Sequence, residues 1–219
     1  MIYIWGVLRK VNLIKNSIFF LACFIFSFSS EVYAALKEKK CSSVFGTILG
    51  ANSNTVGYSN CNNHYKSDLW NKIKIDNHFI DTGIKWQCVE YARRWLITQK
   101  GYTFASIDHA YQIWDLWEAT HVRTGAVAIW EKFPNTKTKS KPEKGDLLIY
   151  DRAQGEHGHV SVIVVVDKEE VFIAEQNYSN LLWDGKDYAR KLHLSKDKEG
   201  LYTLQDLGVI GWMRIKMLT

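Results

Sequence analysis

Trp86-Gln87-Cys88-Val89-Glu90-Tyr91-Ala92-Arg93-Arg94-Trp95 constrains this chain more than any other stretch. It predicts a helix over Cys88 to Lys100. Val89, Ala92, Trp95, Leu96 and Gln99 give that helix one apolar-leaning side, and Gly101 stands just past its end. The helix opens on a cysteine. A helix N-terminus offers unpaired N–H groups and the positive end of its dipole, which favour thiolate, the nucleophilic form of sulfur. The segment therefore points to covalent chemistry by Cys88.

The chain beyond this helix sets the fold class. A second helical region is expected over 107–123, with Ile113, Trp114 and Trp117 buried. Short apolar runs bounded by turn residues come next: Asp146 to Tyr150, His159 to Val166, Val171 to Glu175 and Val209 to Ile215. These read as strands. Helices first and then antiparallel strands give an α+β fold, with N-terminal helices packed on an antiparallel sheet.

The first 34 residues have the layout of a secretory signal peptide. Arg9, Lys10 and Lys15 precede the apolar run Ile18 to Phe26, and Val32-Tyr33-Ala34 suits cleavage after Ala34. The apolar run is short of the roughly 20 residues that span a bilayer, so cleavage is favoured over a membrane anchor. Residues 35–219 then form one domain, exported to the periplasm or beyond, with no stable membrane span. Removal of the first 34 residues would reduce the net charge from +5 to +3, too mild to argue for nucleic acid. The lysine-rich stretch Phe133 to Gly145 contains both prolines and reads as a solvated loop.

An oxidising compartment permits a disulfide, and three cysteines remain beyond the signal segment: Cys41, Cys61 and Cys88. The economical assignment pairs Cys41 with Cys61 and leaves Cys88 free, although those two could equally be buried thiols. A thiol nucleophile needs a base, and the base needs a partner that sets its tautomer. His159 is the best placed of seven histidines, because it opens a β-run after Gly155-Glu156-His157-Gly158. His64, His78, His109, His121 and His193 read better as surface residues. His157 and His159 could instead hold a metal, but no recognised zinc spacing completes the set. Glu175 and Asn177 both end the strand after His159. An odd-length turn centred on Asp167 would set Glu175 opposite His159, and one centred on Lys168 would set Asn177 there. A carboxylate stabilises an imidazolium better than an amide, which favours Glu175.

These residues resemble a family. Cys88, Gly158-His159-Val160 and Ile173-Ala174-Glu175-Gln176-Asn177 look like the CHAP domain, a papain-like cysteine, histidine-dependent amidohydrolase/peptidase. The closer likeness is to the amidase domains of glutathionylspermidine synthetase/amidase and trypanothione synthetase. It runs from Phe45-Gly46-Thr47 through Lys85 to Arg94, Gly145 to Tyr150 and Gly200 to Leu204, to Ile210-Gly211-Trp212-Met213. The resemblance implies a nucleophile at Cys88, a base at His159 and an orienting acid at Glu175. It also implies a pocket using Gln87, Arg93, the turn Ile107-Asp108-His109-Ala110, and Asn177. Gln87 would donate its amide to a developing oxyanion. Arg93 would clamp a substrate carboxylate, or else form a surface salt bridge. Asp108-His109 departs from the smaller or apolar pair expected in that turn. The implied reaction is amide hydrolysis through a thioester, with no metal or nucleotide cofactor. The implied substrate is a glutathione–polyamine conjugate; the alternative is a peptidoglycan peptide.

Overall fold

The structure is a computed structural model that describes residues 40–218. The expected signal segment lies outside the described residues. Two antiparallel hairpins come first: β1 (Ile48–Asn52) with β2 (Thr55–Tyr58), and β3 (Trp70–Ile75) with β4 (His78–Ile84). Helix α1 (Cys88–Lys100) is next. The chain then adds β5 (Tyr102–Thr103), β6 (Glu118–His121), β7 (Val127–Pro134), β8 (Leu147–Tyr150) and β9 (His159–Val166). It ends with β10 (Glu170–Ala174), β11 (Arg190–Lys196), β12 (Tyr202–Gln205) and β13 (Val209–Met217). Strands β5 to β13 form one nine-stranded sheet in the order β12-β11-β10-β9-β8-β13-β7-β6-β5.

Helix α1 ends as its sequence predicts. Gly101 sits at φ 75°, and its N–H bonds back to the carbonyls of Ile97 and Leu96. A side chain there would be strained by that φ and would also meet His121 Nε2 at 2.7 Å. Mixed α and β content is as expected, but the order is not. Among the described residues hairpins, not helices, precede the cysteine, and α1 is the one α-helix.

The second helical region is also overturned. Within 107–123 only Ala110–Asp115 coils, as a 3₁₀ turn, and β6 comes after it. Ile113 is buried as expected, but Trp117 is 79% exposed, with the Lys132 ammonium 4.6 Å over its ring. Pairing of β6 with β7 overrides the helical spacing, a tertiary choice that a local pattern does not register.

The sheet is buried on both faces. On one, Tyr91, Ala92, Trp95 and Leu96 of α1 pack with Leu147, Ile149, Val160, Val162 and Val164. On the other, Leu148, Ile163, Ile173, Leu192 and Trp212 form a second cluster. Double burial explains why β8 and β9 read as continuous apolar runs with no alternation. Edge strand β12 is drawn toward the segment after β7: Asn135 Nδ2 donates to the Leu204 carbonyl at 3.1 Å, and Leu204 N–H returns a bond to Asn135 Oδ1 at 2.9 Å.

Candidate active site

Cys88 is the first residue of α1 and is buried, with its thiol free. The other two cysteines, Cys41 and Cys61, are joined to each other. The first turn of a helix leaves its N–H groups without intrahelical partners, so the Cys88 N–H is a donor not used by the helix.

His159 opens β9 and is buried. The backbone reaches it through Gly158, at φ 64°, where a Cβ would lie 2.6 Å from the Tyr150 carbonyl. His159 Nε2 lies 2.7 Å from Glu175 Oε2. That leaves Nδ1 as the ring nitrogen available to the sulfur, and Cys88 favours the charged ring. Burial opposes a charge on the ring. The bonds to Cys88 and Glu175 outweigh it and push the His159 pKa up to about 9. At neutral pH the site therefore holds an imidazolium between the Cys88 sulfur and a carboxylate. Glu175 is itself buried. Burial raises its pKa, but His159 and Arg190 more than compensate and hold it below the usual carboxylate value.

The meeting of His159 and Glu175 does not come from an odd turn. Val166 pairs with Val171 and Val165 with Phe172, so the connection through Lys168 and Glu169 is even. The register then shifts: Ile163 pairs with Ile173 and Val162 with Ala174. This bulge changes the parity and brings Glu175 onto the side of His159, one alternation away rather than directly opposite. Asn177 does not orient the ring. Its Nδ2 donates to Gln87 Oε1 at 2.8 Å, and its backbone has φ 57°.

Gln87 precedes the nucleophile, but its amide is already engaged. Nε2 donates to Asn60 Oδ1 at 3.3 Å and to the Tyr65 carbonyl at 3.1 Å. Both protons are in use, so oxyanion donation from Gln87 requires one to be released. Asn60, fully buried beside Cys61, also accepts from the Trp86 N–H and donates to Asn177 Oδ1. Nothing in the local sequence marked it.

Arg93 is not the surface ion pair that was one of its two expected roles. It is buried, donates to the carbonyls of Thr82 at 2.7 Å and Ala105 at 3.2 Å, and lies 4.4 Å over the Phe104 ring. Burial lowers its pKa to about 10, against an opposing pull from Glu90. The next arginine does more for the helix. Arg94 Nε meets Glu90 Oε1 at 2.7 Å, and Glu90 also accepts from Asn71, Thr82 and Gln176. Gln176 Nε2 reaches the Gln87 carbonyl at 3.1 Å. This buried network ties the start of α1 to both hairpins and to the chain just after Glu175.

The turn Ile107 to Ala110 lies beside the approach to His159. His109 Nδ1 is 2.7 Å from His157 Nδ1, and the two rings stack at 4.9 Å. His157 is bonded to His109 and His159 to Glu175, so the two rings have different partners. Asp108 is exposed, Ile107 half-buried and Ala110 buried. His64, His78 and His193 are exposed.

Residues 79–177 match the model of the CHAP domain. They form a CHAP domain. Cys88, His159 and Glu175 all fall inside it. The chain is 34% identical over 183 residues to the bifunctional glutathionylspermidine synthetase/amidase of Escherichia coli (strain K12), covering 77% of this chain and 29% of that protein. It is 35% identical over 168 residues to the trypanothione synthetase of Crithidia fasciculata, covering 74% of this chain and 24% of that one. The CHAP domain and its flanks thus span less than a third of these relatives' length. The hairpins β1–β2 and β3–β4 and the segment between them lie mostly before residue 79; the segment supplies Asn60 and Tyr65, and the hairpins supply Asn71 and the β2 carbonyl that Arg94 Nη1 binds at 2.8 Å.

Proposed function

We propose that this protein is an exported cysteine amidohydrolase of papain-like CHAP fold, acting on the amide of a glutathione–polyamine conjugate. The observation that carries the reaction class is the buried Cys88–His159–Glu175 chain. Cys88, as thiolate, attacks the amide carbonyl, and the Cys88 N–H donates to the oxyanion that develops. Protonated His159 gives its proton to the leaving amine as the C–N bond breaks. The neutral ring then takes a proton from water, which attacks the thioester and expels the Cys88 thiolate, so that the imidazolium is restored. Glu175 fixes the ring and stabilises its charged form. The substrate class is supported by likeness to the glutathionylspermidine synthetase/amidase, and export by the basic, apolar and small-residue order of residues 1–34.

The test incubates purified protein with glutathionylspermidine and, separately, with peptidoglycan. Cys88→Ala serves as the control. Release of spermidine by the wild type alone supports the reading. Activity in Cys88→Ala overturns the mechanism, and turnover of peptidoglycan alone overturns the substrate.

A further inference from the structure

We propose that Arg190, anchored by Asp206, is a positioning residue that fixes which oxygen of Glu175 faces His159 and moderates that carboxylate's hold on the ring proton. The inference rests on the reading of His159 as acid and base.

Glu175 has two oxygens and two partners. Oε2 meets His159 Nε2 at 2.7 Å, and Oε1 meets Arg190 Nε at 2.6 Å. With Oε1 taken, the carboxylate cannot rotate without breaking a charged hydrogen bond in a buried place. Arg190 is fixed in turn. Nη1 bonds Asp206 Oδ2 at 2.6 Å, and Nη2 bonds the Tyr150 hydroxyl at 3.1 Å. The Tyr150 hydroxyl donates to Asp206 Oδ2, also at 3.1 Å, which closes a ring of three groups. The guanidinium lies 4.1 Å over the Tyr178 ring. Tyr178 and Tyr150 also flank the base, at 5.4 and 5.5 Å from the His159 ring.

The charged and titratable groups facing His159 are Cys88 on α1, Tyr150 on β8, Glu175 after β10 and Tyr178 beyond it. Those facing Arg190 are Glu175, Asp206, Tyr150 and Tyr178. Burial pushes the Tyr150 phenol well above its ordinary pKa, so it remains a neutral donor. The charges therefore alternate outward: imidazolium, carboxylate, guanidinium, carboxylate. A carboxylate facing His159 alone in a buried site would hold the ring proton strongly. Deacylation needs that proton gone, because neutral His159 activates the water. The Arg190 charge weakens the hold, and Asp206 limits how far.

This predicts opposite shifts for two substitutions, read as the NMR titration of the His159 ring in the full chain and assigned by comparison with His159→Gln. Arg190→Met should raise the His159 midpoint by about one pH unit, and Asp206→Asn should lower it by about half a unit. Arg190→Lys, which keeps the charge, should stay within a few tenths of wild type. An unmoved midpoint in Arg190→Met, or shifts of the same sign in the two variants, overturns the proposal. A merely structural role would cost stability in both without opposed shifts. If Arg190→Met does not fold, Asp206→Asn decides: a lowered midpoint supports the proposal, and an unmoved or raised one overturns it. The titration needs no substrate. A wild type that cleaves neither amide would sink the amidase reading and leave this result readable.

Discussion

Glu175 reaches His159 at 2.7 Å across a bulged pair of strands, and the bulge is what puts them on one side. The carboxylate is buried, and its charge is balanced by His159 and Arg190. Glu175→Gln keeps the shape and removes the charge. It should lower kcat by about 10²- to 10⁴-fold with little change in KM, the range expected when a general base loses its orienting acid. Asn177→Ala should cost far less, because Asn177 bonds Gln87 and not the ring. Steady-state kinetics of the two variants decide. Equal losses would remove Glu175 from its role.

Gly158 is the tightest point on the path to the base. Any side chain there meets the Tyr150 carbonyl at 2.6 Å and Tyr111 Cβ at 3.1 Å, at a φ of 64° that L residues disfavour. Gly158→Ala should destabilise the protein by about 1–3 kcal/mol and displace His159, with a fall in kcat. Gly155, at φ 108° but with open space around it, should tolerate Ala better in packing and retain most activity. Denaturant melts and kcat for both variants test this. Wild-type behaviour in Gly158→Ala would show that the loop relaxes freely.

The helix and the nucleophile were legible because their signals are local. A cysteine before an apolar stripe and a glycine after it fix α1 from Cys88 to Lys100, with Gly101 as its cap. The strands β8 and β9 were legible because double burial makes them uniformly apolar. The charged shell behind the site was not. Arg190 stands 31 residues from His159 in sequence and Asp206 a further 16, and nothing near either marks it as a partner of Glu175. Trp117 misled for a related reason. Helical spacing is a statement about neighbours on one chain, whereas β6 was settled by its pairing with β7. The bulge in β9–β10 was likewise invisible, since one extra residue inside an apolar run leaves no trace in composition.

Glu90 holds the start of the helix from beneath. It is fully buried and accepts from Arg94, Asn71, Thr82 and Gln176. Glu90→Ala leaves the Arg94 charge buried beside a cavity and should cost about 3–5 kcal/mol. Glu90→Gln retains part of the hydrogen bonding and should cost less. Urea unfolding of the two variants gives the ranking, and a surface-like loss under about 0.5 kcal/mol for Glu90→Ala would refute the structural role.

The raised pKa of His159 makes stability depend on pH with a definite sign. The ring titrates near 6.5 when unfolded and at about 9 when folded. Below pH 6.5 it is charged in both states and its bonds to Cys88 and Glu175 contribute in full. As pH rises through the window from 6.5 to 9, the folded protein retains a proton that the unfolded chain has lost, and the contribution falls away. Linkage caps that loss at about 3 kcal/mol. Urea unfolding between about pH 6 and about pH 9.5 should therefore show wild type losing stability relative to His159→Gln. In Cys88→Ala the window should narrow, because the bond to the sulfur is one of the two that raise the pKa. Parallel pH curves for wild type and His159→Gln would mean that the ring is not held charged in the folded protein, and the proton it gives to the leaving amine would need another source.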